Sequence, residues 1–254
     1  MAIRKYGREL KVEQKKFKHS GDMGDIIYSL PAIRALGGGT LYLDVNGGKD
    51  SKLIQPFVKP FDRDRLRFGV DEFNFLKPLL MKQSYIKDVQ PWAGEEVDHD
   101  LDKFREVFVQ GGFNLAECHL LACGINSGNH LTPWLQAMPV KVGKDISISR
   151  SLRRQSNHDF WDSNRNFLKE NGLFLGLDLE YEVFCTVFEI KPKRQIISDA
   201  LELASYMLGT KECWSNLTLT MCIAIGLGIA FRQEGYPKAN GNIFAQYREN
   251  GVYV

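Results

Sequence analysis

Apolar residues recur along this chain in two alternating rhythms, one with a period of two and one near 3.6. The segment KKFKHS, residues 15–20, can be a short strand, and it runs into the glycine loop SGDMGD. Beyond the loop, Ile26, Ile27, Leu30, Ile33 and Leu36 fall at helical spacing. Pro31 lies within the early turns, where its missing N–H does least harm. Gly37, Gly38 and Gly39 stop the helix, and TLYLDV alternates as a strand. Strand, loop, helix and strand in that order make a parallel α/β unit.

The rhythm continues with a helix in DEFNFLKPLLMKQ, interrupted by Pro78, a short strand in YIKDV and a helix in FNLAECHLLACGI. Residues 125–144 are rich in Gly, Pro and polar side chains, hold no sustained period and mark a domain boundary. The pattern then restarts. ISIS reads as a strand, FWDSNRNFLKEN as a helix ended by Gly172, LFLGL as a strand and DLEYEVFCTVF as a helix. SDALELASYMLGT opens on a Ser/Asp cap and closes on Gly209, ECWS makes a strand, TLTMCIAIGLG a buried helix and IAFRQ a last strand. The fold class is α/β, with two Rossmann-like domains, 1–140 and 141–254, facing each other across a cleft.

Composition narrows the picture by exclusion. The chain has 254 residues, 44% apolar and 25% charged, with a formal net charge of +2, so neither nucleic acid nor a membrane surface is demanded by charge. No stretch reaches the roughly 18–20 apolar residues that span a bilayer. The first twenty residues are basic but lack the apolar centre of a secretory signal, which makes a cytoplasmic location the expectation. Five cysteines, odd in number and without a CxxC pair, argue against a disulfide framework or a zinc ribbon. CHLLAC, with His130 downstream, reads as buried thiols. VDHDLD, residues 97–102, sets Asp98, Asp100 and Asp102 around His99 and reads as a solvated turn.

Three segments carry candidate chemistry, each between a strand and the mouth of a crevice. The first is the SGDMGD loop. Asp25 falls at the start of a helix, where the macrodipole favours its ionised form, and such a carboxylate can accept a proton from a hydroxyl. Capping by Asp25 and a simple turn at Asp22 account for the same residues without chemistry. The second is ISISRSLRRQSNHDFW, which brings Arg150, Ser151, Arg153 and Arg154 to a strand end, a set suited to a diphosphate or to a solvated loop. The third is CWSNLTLTMCIAIGLG, where Ser215, Asn216, Thr218 and Thr220 gather before an apolar helix and offer a neutral anion seat.

These three segments, in this order, resemble the heptosyltransferase-like (family 9) glycosyltransferases. SGDMGDIIYSLPAIRALG looks like the family's N-terminal motif, ISRSLRRQSNHDFW like its Arg-Ser/Thr segment, and ELASYMLGTKECWSNLTLTMCIAIGLG like its donor-side strand and helix. The likeness covers roughly residues 17–45 and 145–232. It implies a GT-B fold and an inverting, metal-independent transfer of a sugar from a nucleotide-diphosphate sugar to an acceptor hydroxyl. Asp25 corresponds to the family's catalytic carboxylate. Gly24, Arg150, Ser151, Arg153, Asn216, Thr218 and Thr220 are the expected donor-binding residues, with no cofactor beyond the nucleotide sugar itself. The acceptor could be a glycan, a protein, a metabolite or a modified nucleic-acid base. Asp25 is then expected to look across the cleft at an anion seat lined by Arg150 and Thr218. In the donor turn, Trp214-Ser215-Asn216-Leu217 stands where the family more often has Gly-Asn-Asp/Gln, and the chain is shorter than a typical member, with segments expected to be missing on the acceptor side. The alternatives are a non-catalytic nucleotide or nucleotide-sugar binding protein on the same scaffold, and a metal-dependent phosphoryl enzyme using Asp22 and Asp25.

Overall fold

The structure, a computed structural model, describes residues 14–46, 68–110, 113–126, 128–152, 155, 158–235 and 251–254. Its front sheet is built from β1 (Lys15–His19), β2 (Gly39–Leu43), β3 (Ile86–Pro91) and β4 (His99–Asp100), joined by α1 (Met23–Ala35), α2 (Val70–Met81), α3 (Phe104–Phe108) and α4 (Leu115–Ala122). The rear sheet holds β5 (Ile146–Ser149), β6 (Gly172–Phe174), β7 (Lys193–Arg194), β8 (Glu212–Ser215), β9 (Ala230–Gln233) and β10 (Gly251–Tyr253). Between these strands run α5 (His158–Ser163), α6 (Arg165–Asn171), α7 (Asp178–Phe188), α8 (Ala200–Leu208) and α9 (Leu219–Leu227). The strand orders are β3-β2-β1-β4 and β10-β9-β8-β5-β6-β7, and every pairing is parallel.

Two of the helices read from the sequence take a different form. Pro78 does not interrupt α2, which runs through it to Met81; Leu76, Leu79 and Leu80 are fully buried on both sides and hold the helix together by packing. FWDSNRNFLKEN forms two helices rather than one. At Asn164 the backbone N–H turns back to the Trp161 carbonyl and the side-chain amide donates to the Phe160 carbonyl, a local bond that competes with the helical ladder.

The two halves share one apolar core. Ile27, Leu30 and Ile33 of α1 and Leu76 and Leu79 of α2 belong to the same buried cluster as Ala204 and Met207 of α8 and Met221 and Ile225 of α9. A second cluster, with Ile148, Trp161, Phe174, Phe184 and Trp214, fills the other face of the rear sheet. Residues 128–145 contain only a 3₁₀ turn at Asn129–Leu131, yet they are tied to both halves. Arg34 of α1 donates to the carbonyls of Pro133 at 2.6 Å and Asn129 at 2.5 Å. Trp134 and Leu135 both donate their N–H to the Gly226 carbonyl of α9, at 2.8 and 2.9 Å. No helix among the described residues is long and apolar enough to cross a membrane.

Candidate functional site

In an open parallel sheet, ligands bind where strand order reverses, outside the carboxyl ends of the strands. The rear sheet reverses between β5 and β8. A cavity of about 660 Å³ lies there, within the size range of small-molecule sites. Its floor comes from the ends of the rear strands and the segments that leave them: Ser149 at the end of β5 and Ser151 after it, Leu177 after β6, Arg194 at the end of β7, and Thr218 to Thr220 at the start of α9. Its opposite wall is the front half, with Asp22, Met23 and Gly24 from the loop after β1 and Glu72 and Phe75 from α2.

Local chemistry builds the floor. Thr218 is the N-cap of α9, and its Oγ1 accepts from the Met221 N–H at 3.3 Å and meets Ser215 Oγ at 2.8 Å. The other first-turn amides have no partner within the helix, as at any helix start, and suit an anion. Asn216 is buried, and its amide makes a paired contact with Ser151, accepting from its N–H and donating to its carbonyl, both at 3.0 Å. Asn216 therefore braces Ser151 and is not itself part of the lining. Gly24, Ser151, Thr218 and Thr220 do line the cavity. Arg153 lies outside the described residues.

Arg150 does not reach the cavity. Its guanidinium is buried and forks onto Glu234, with Nε and Nη2 at 2.8 and 3.0 Å from the two carboxylate oxygens. Trp161 Nε1 donates to the same carboxylate at 3.0 Å. The expectation of a free arginine at this strand end is thus corrected: a buried carboxylate 84 residues away neutralises it. The cation that does line the cavity is Arg194, ion-paired with Asp178 and lying 5.1 Å from the Tyr181 ring centroid. Sequence reasoning missed Arg194, although it ends a parallel strand and the rule used for Arg150 points equally to it.

Asp25 is also placed differently from the expectation. It sits half-buried in the first turn of α1, with its side chain packed over Gly21 in its own loop; a Cβ at Gly21 would fall 2.8 Å from Asp25 Oδ2. Of the loop's two carboxylates, the one that lines the cavity is that of Asp22, which occupies the N-cap position without making a capping hydrogen bond. The loop nevertheless touches the rear half: a Cβ on Gly24 would meet Cys222 Sγ of α9 at 3.0 Å.

The front reversal, between β1 and β4, is filled. Asp102, read as part of a solvated turn, is completely buried and is the hub. Its carboxylate takes Lys18 Nζ at 2.7 Å, Arg105 Nη1 at 2.6 Å, the Ser20 N–H at 3.1 Å and the Ser20 hydroxyl. Burial alone would raise this carboxyl, but the Arg105 and Lys18 charges, with the Lys18 hydrogen bond, hold it below the usual carboxylate range. Four contacts from three residues, two of them made by Ser20, thereby fix the beginning of the SGDMGD loop. CHLLAC does hold a buried thiol, Cys118, with Cys123 half-buried; burial pushes them up to about 12 and about 11, so neither is a ready thiolate. Among the described residues, no group of three His, Cys, Asp or Glu is placed to hold a metal ion.

The same architecture occurs in solved glycosyltransferases. The chain is similar to the glycosyl transferase family 9 structure from Veillonella parvula DSM 2008, at a TM-score of 0.62 and 10% identity over 96% of this chain and 87% of that one. It is also similar to E. coli heptosyltransferase WaaC with ADP, at a TM-score of 0.59 and 11% identity over 94% of this chain and 92% of that one. WaaC with ADP-2-deoxy-2-fluoro heptose gives a TM-score of 0.54 and 12% identity over the same shares, 94% and 92%. No family model and no curated protein matches the sequence. The fold is therefore the GT-B type of the heptosyltransferase-like glycosyltransferases, as the motifs implied.

Proposed function

We propose that this protein is an inverting, metal-independent glycosyltransferase that moves a sugar from a nucleotide-diphosphate sugar to an acceptor hydroxyl. The observation that carries the reading is the cavity at the rear reversal point, floored by hydroxyls and a helix start and walled by the acidic loop of the front half. The rear floor suits a diphosphate, and the apolar walls at Leu177, Ile196 and Ile197 suit the flat face of a base. ADP and ADP-2-deoxy-2-fluoro heptose are bound by the WaaC structures of the same fold, which supports a nucleotide-linked donor here. Asp25, outside the lining but marked as the base by the family resemblance, takes the proton from the acceptor hydroxyl as its oxygen attacks the anomeric carbon and the diphosphate departs. The first-turn amides of α9, the hydroxyls of Ser151, Thr218 and Thr220, and Arg194 in place of Arg150 stabilise the leaving charge. Asp22 is the second candidate for the base, favoured by its place in the lining.

A second reading, nucleotide-sugar binding without transfer, is favoured by one observation. The arginine expected to meet the leaving diphosphate, Arg150, is held by Glu234. Incubation with a panel of nucleotide sugars separates the two. A transferase releases free nucleotide slowly even with water as acceptor, and does so undiminished in EDTA; a binding protein returns the donor intact. Both readings predict a thermal shift, since a ligand at a hundred times its Kd stabilises by about 2.7 kcal/mol. If no nucleotide diphosphate or nucleotide sugar shifts the transition, both are wrong.

A further inference from the structure

The filled reversal point of the front half contains two histidines that the transfer reaction leaves unexplained. His19 ends β1, and His119 lies on α4; both are completely buried. Their rings face each other with Nε2 to Nε2 at 3.0 Å. The outer nitrogens are also engaged. Gly21 N–H donates to His19 Nδ1 at 2.8 Å, and His119 Nδ1 lies 2.7 Å from the Leu115 carbonyl.

These contacts permit one proton arrangement. His19 Nδ1 accepts from a backbone N–H, so it carries no proton, and the His19 proton is on Nε2. The Leu115 carbonyl can only accept, so His119 carries its proton on Nδ1 and leaves Nε2 as an acceptor. His19 Nε2–H therefore donates to His119 Nε2, and the chain Gly21 to His19 to His119 to Leu115 runs in one direction with no unmatched atom. A proton added to either ring would set two donors against each other. The charged neighbours agree with a neutral pair. Lys18 on β1 and Arg105 on α3 disfavour further positive charge, while Asp102, after β4, favours it from 3.8 Å to His19 Nδ1, too long for a hydrogen bond. The Asp25 carboxylate of α1 approaches the same Gly21 position as the His19 ring. The Phe104 ring covers both imidazoles, with centroids 5.8 Å from His19 and 4.1 Å from His119.

We propose that His19 and His119 are positioning residues, a neutral pair locked in opposite tautomers that sets the shape of the Ser20–Asp25 loop through the Gly21 amide. Neither ring lines the cavity. Their link to the loop is direct, because the Gly21 N–H is their last donor, and a Cβ at Gly21 would strike His19 Cε1 at 2.6 Å and the Asp25 carboxylate at 2.8 Å. The kinetic consequence rests on the transferase reading; the tautomers and the Gly21 amide do not.

The test uses the full chain labelled with ¹⁵N and long-range ¹H–¹⁵N spectra of its five histidines, assigned by single His→Gln variants. The expected result is one ring protonated on Nε2 and one on Nδ1, both unchanged from pH 8 to pH 5, with a Gly21 amide that exchanges slowly. Identical tautomers, or either ring titrating near pH 6.5, overturn the proposal. His119→Gln, which keeps an acceptor oxygen towards His19, is expected to retain the slow Gly21 amide, and His119→Leu to speed its exchange at least tenfold. Equal exchange in both variants overturns the positioning role. With a donor and acceptor in hand, the Leu variant lowers kcat at least tenfold at unchanged donor KM, and Gln restores most of it; a loss confined to KM, or equal in the two variants, counts against it. If the unaltered chain transfers no sugar, the reading of function fails while the spectra and the Gly21 amide still decide the pair.

Discussion

In the front sheet strand order reverses between β1 and β4, and in the rear sheet between β5 and β8. Each reversal has a buried carboxylate beneath it, gripping a cation from within or just after the first strand: Asp102 holds Lys18 of β1, with Arg105 of α3 beside it, and Glu234 holds Arg150 after β5. What lies above each hub differs. In front, Ser20, His19 and His119 complete the hydrogen bonding and close the crevice. Behind, Ser151, Thr218 and Thr220 leave it open as a cavity. The same topology thus yields a filled support on one side and an open cavity on the other. The open floor needs a loop held still opposite it, and the closed front supplies that loop.

The comparison breaks hardest at the two hubs. Removing one partner of a buried pair leaves a charge without water or counter-charge, at a cost of about 3–5 kcal/mol. Asp102→Ala and Glu234→Ala are each expected to lose that much in urea unfolding. A joint Arg150→Met and Glu234→Leu replacement is expected to recover most of the rear loss, because both charges go together. The front hub, with two cations on one carboxylate, has no equally simple apolar replacement. If Glu234→Ala unfolds no more easily than the parent, Arg150 is not neutralised where the structure places it.

At the loop itself, Asp25→Asn is expected to lower turnover by about 10²- to 10⁴-fold while nucleotide affinity is kept. Asp22→Asn, in the lining but without the first-turn position, is expected to lose less. The reverse order would transfer the base from Asp25 to Asp22. Parental turnover in both variants would leave the loop without a catalytic acid or base.

Much of this was legible along the chain, because parallel α/β units announce themselves locally. The apolar periods of α1, α7 and α9, the glycines after α1 and α9 and the strands between were all readable within a dozen residues. So was the floor, since hydroxyls between a strand and a helix start make an anion seat by position alone. What could not be read is pairing at long range. Asp102 meets Lys18 across 84 positions, and Glu234 meets Arg150 across another 84. A local window shows Asp102 as one of three acids in a turn and Arg150 as one of several arginines at a strand end. Only the fold reveals that each faces an opposite charge. β10 was missed for a similar reason: three residues gain strand identity from pairing with β9, not from any period of their own.

Acid should act on the closed front more than on the open rear. Burial lowers His19 from 6.5 to about 3 and His119 well below 6.5, while the rear hub of Arg150, Glu234 and Trp161 contains no histidine. A base whose folded pKa is depressed is protonated first in the unfolded chain. The stability from these rings is therefore complete above pH 6.5 and declines as pH falls towards 3, each ring shifting the folding equilibrium by up to about tenfold per pH unit. Asp102 adds its own loss only below its unfolded value of 3.8. Urea midpoints should stay level above pH 7 and fall steadily between pH 6 and 4.5, and His119→Gln should flatten that slope by about half. A level profile to pH 4.5 would mean that the two rings are not buried as a neutral pair.

The smallest expected effects distinguish how the loop is held on its two sides. At Gly21 a methyl group would strike His19 and Asp25 together, at 2.6 and 2.8 Å, inside a region fixed by the hub. Gly21→Ala is therefore expected to cost about 1–3 kcal/mol, as overpacking generally does. At Gly24 the only close neighbour among the described residues is Cys222 Sγ at 3.0 Å, so Gly24→Ala asks one sulfur to move by a few tenths of an ångström and should cost less than 1 kcal/mol. Cys222→Ala removes that sulfur, and the double variant should then show the Gly24→Ala cost abolished, a coupling measurable in a double-mutant cycle. Because Gly24 belongs to the front loop and Cys222 to α9 of the rear half, the coupling reports directly whether the loop rests on the rear half in solution. Strict additivity would mean that the loop and the cavity floor are not in contact, and that the front half positions its acids without touching the site it faces.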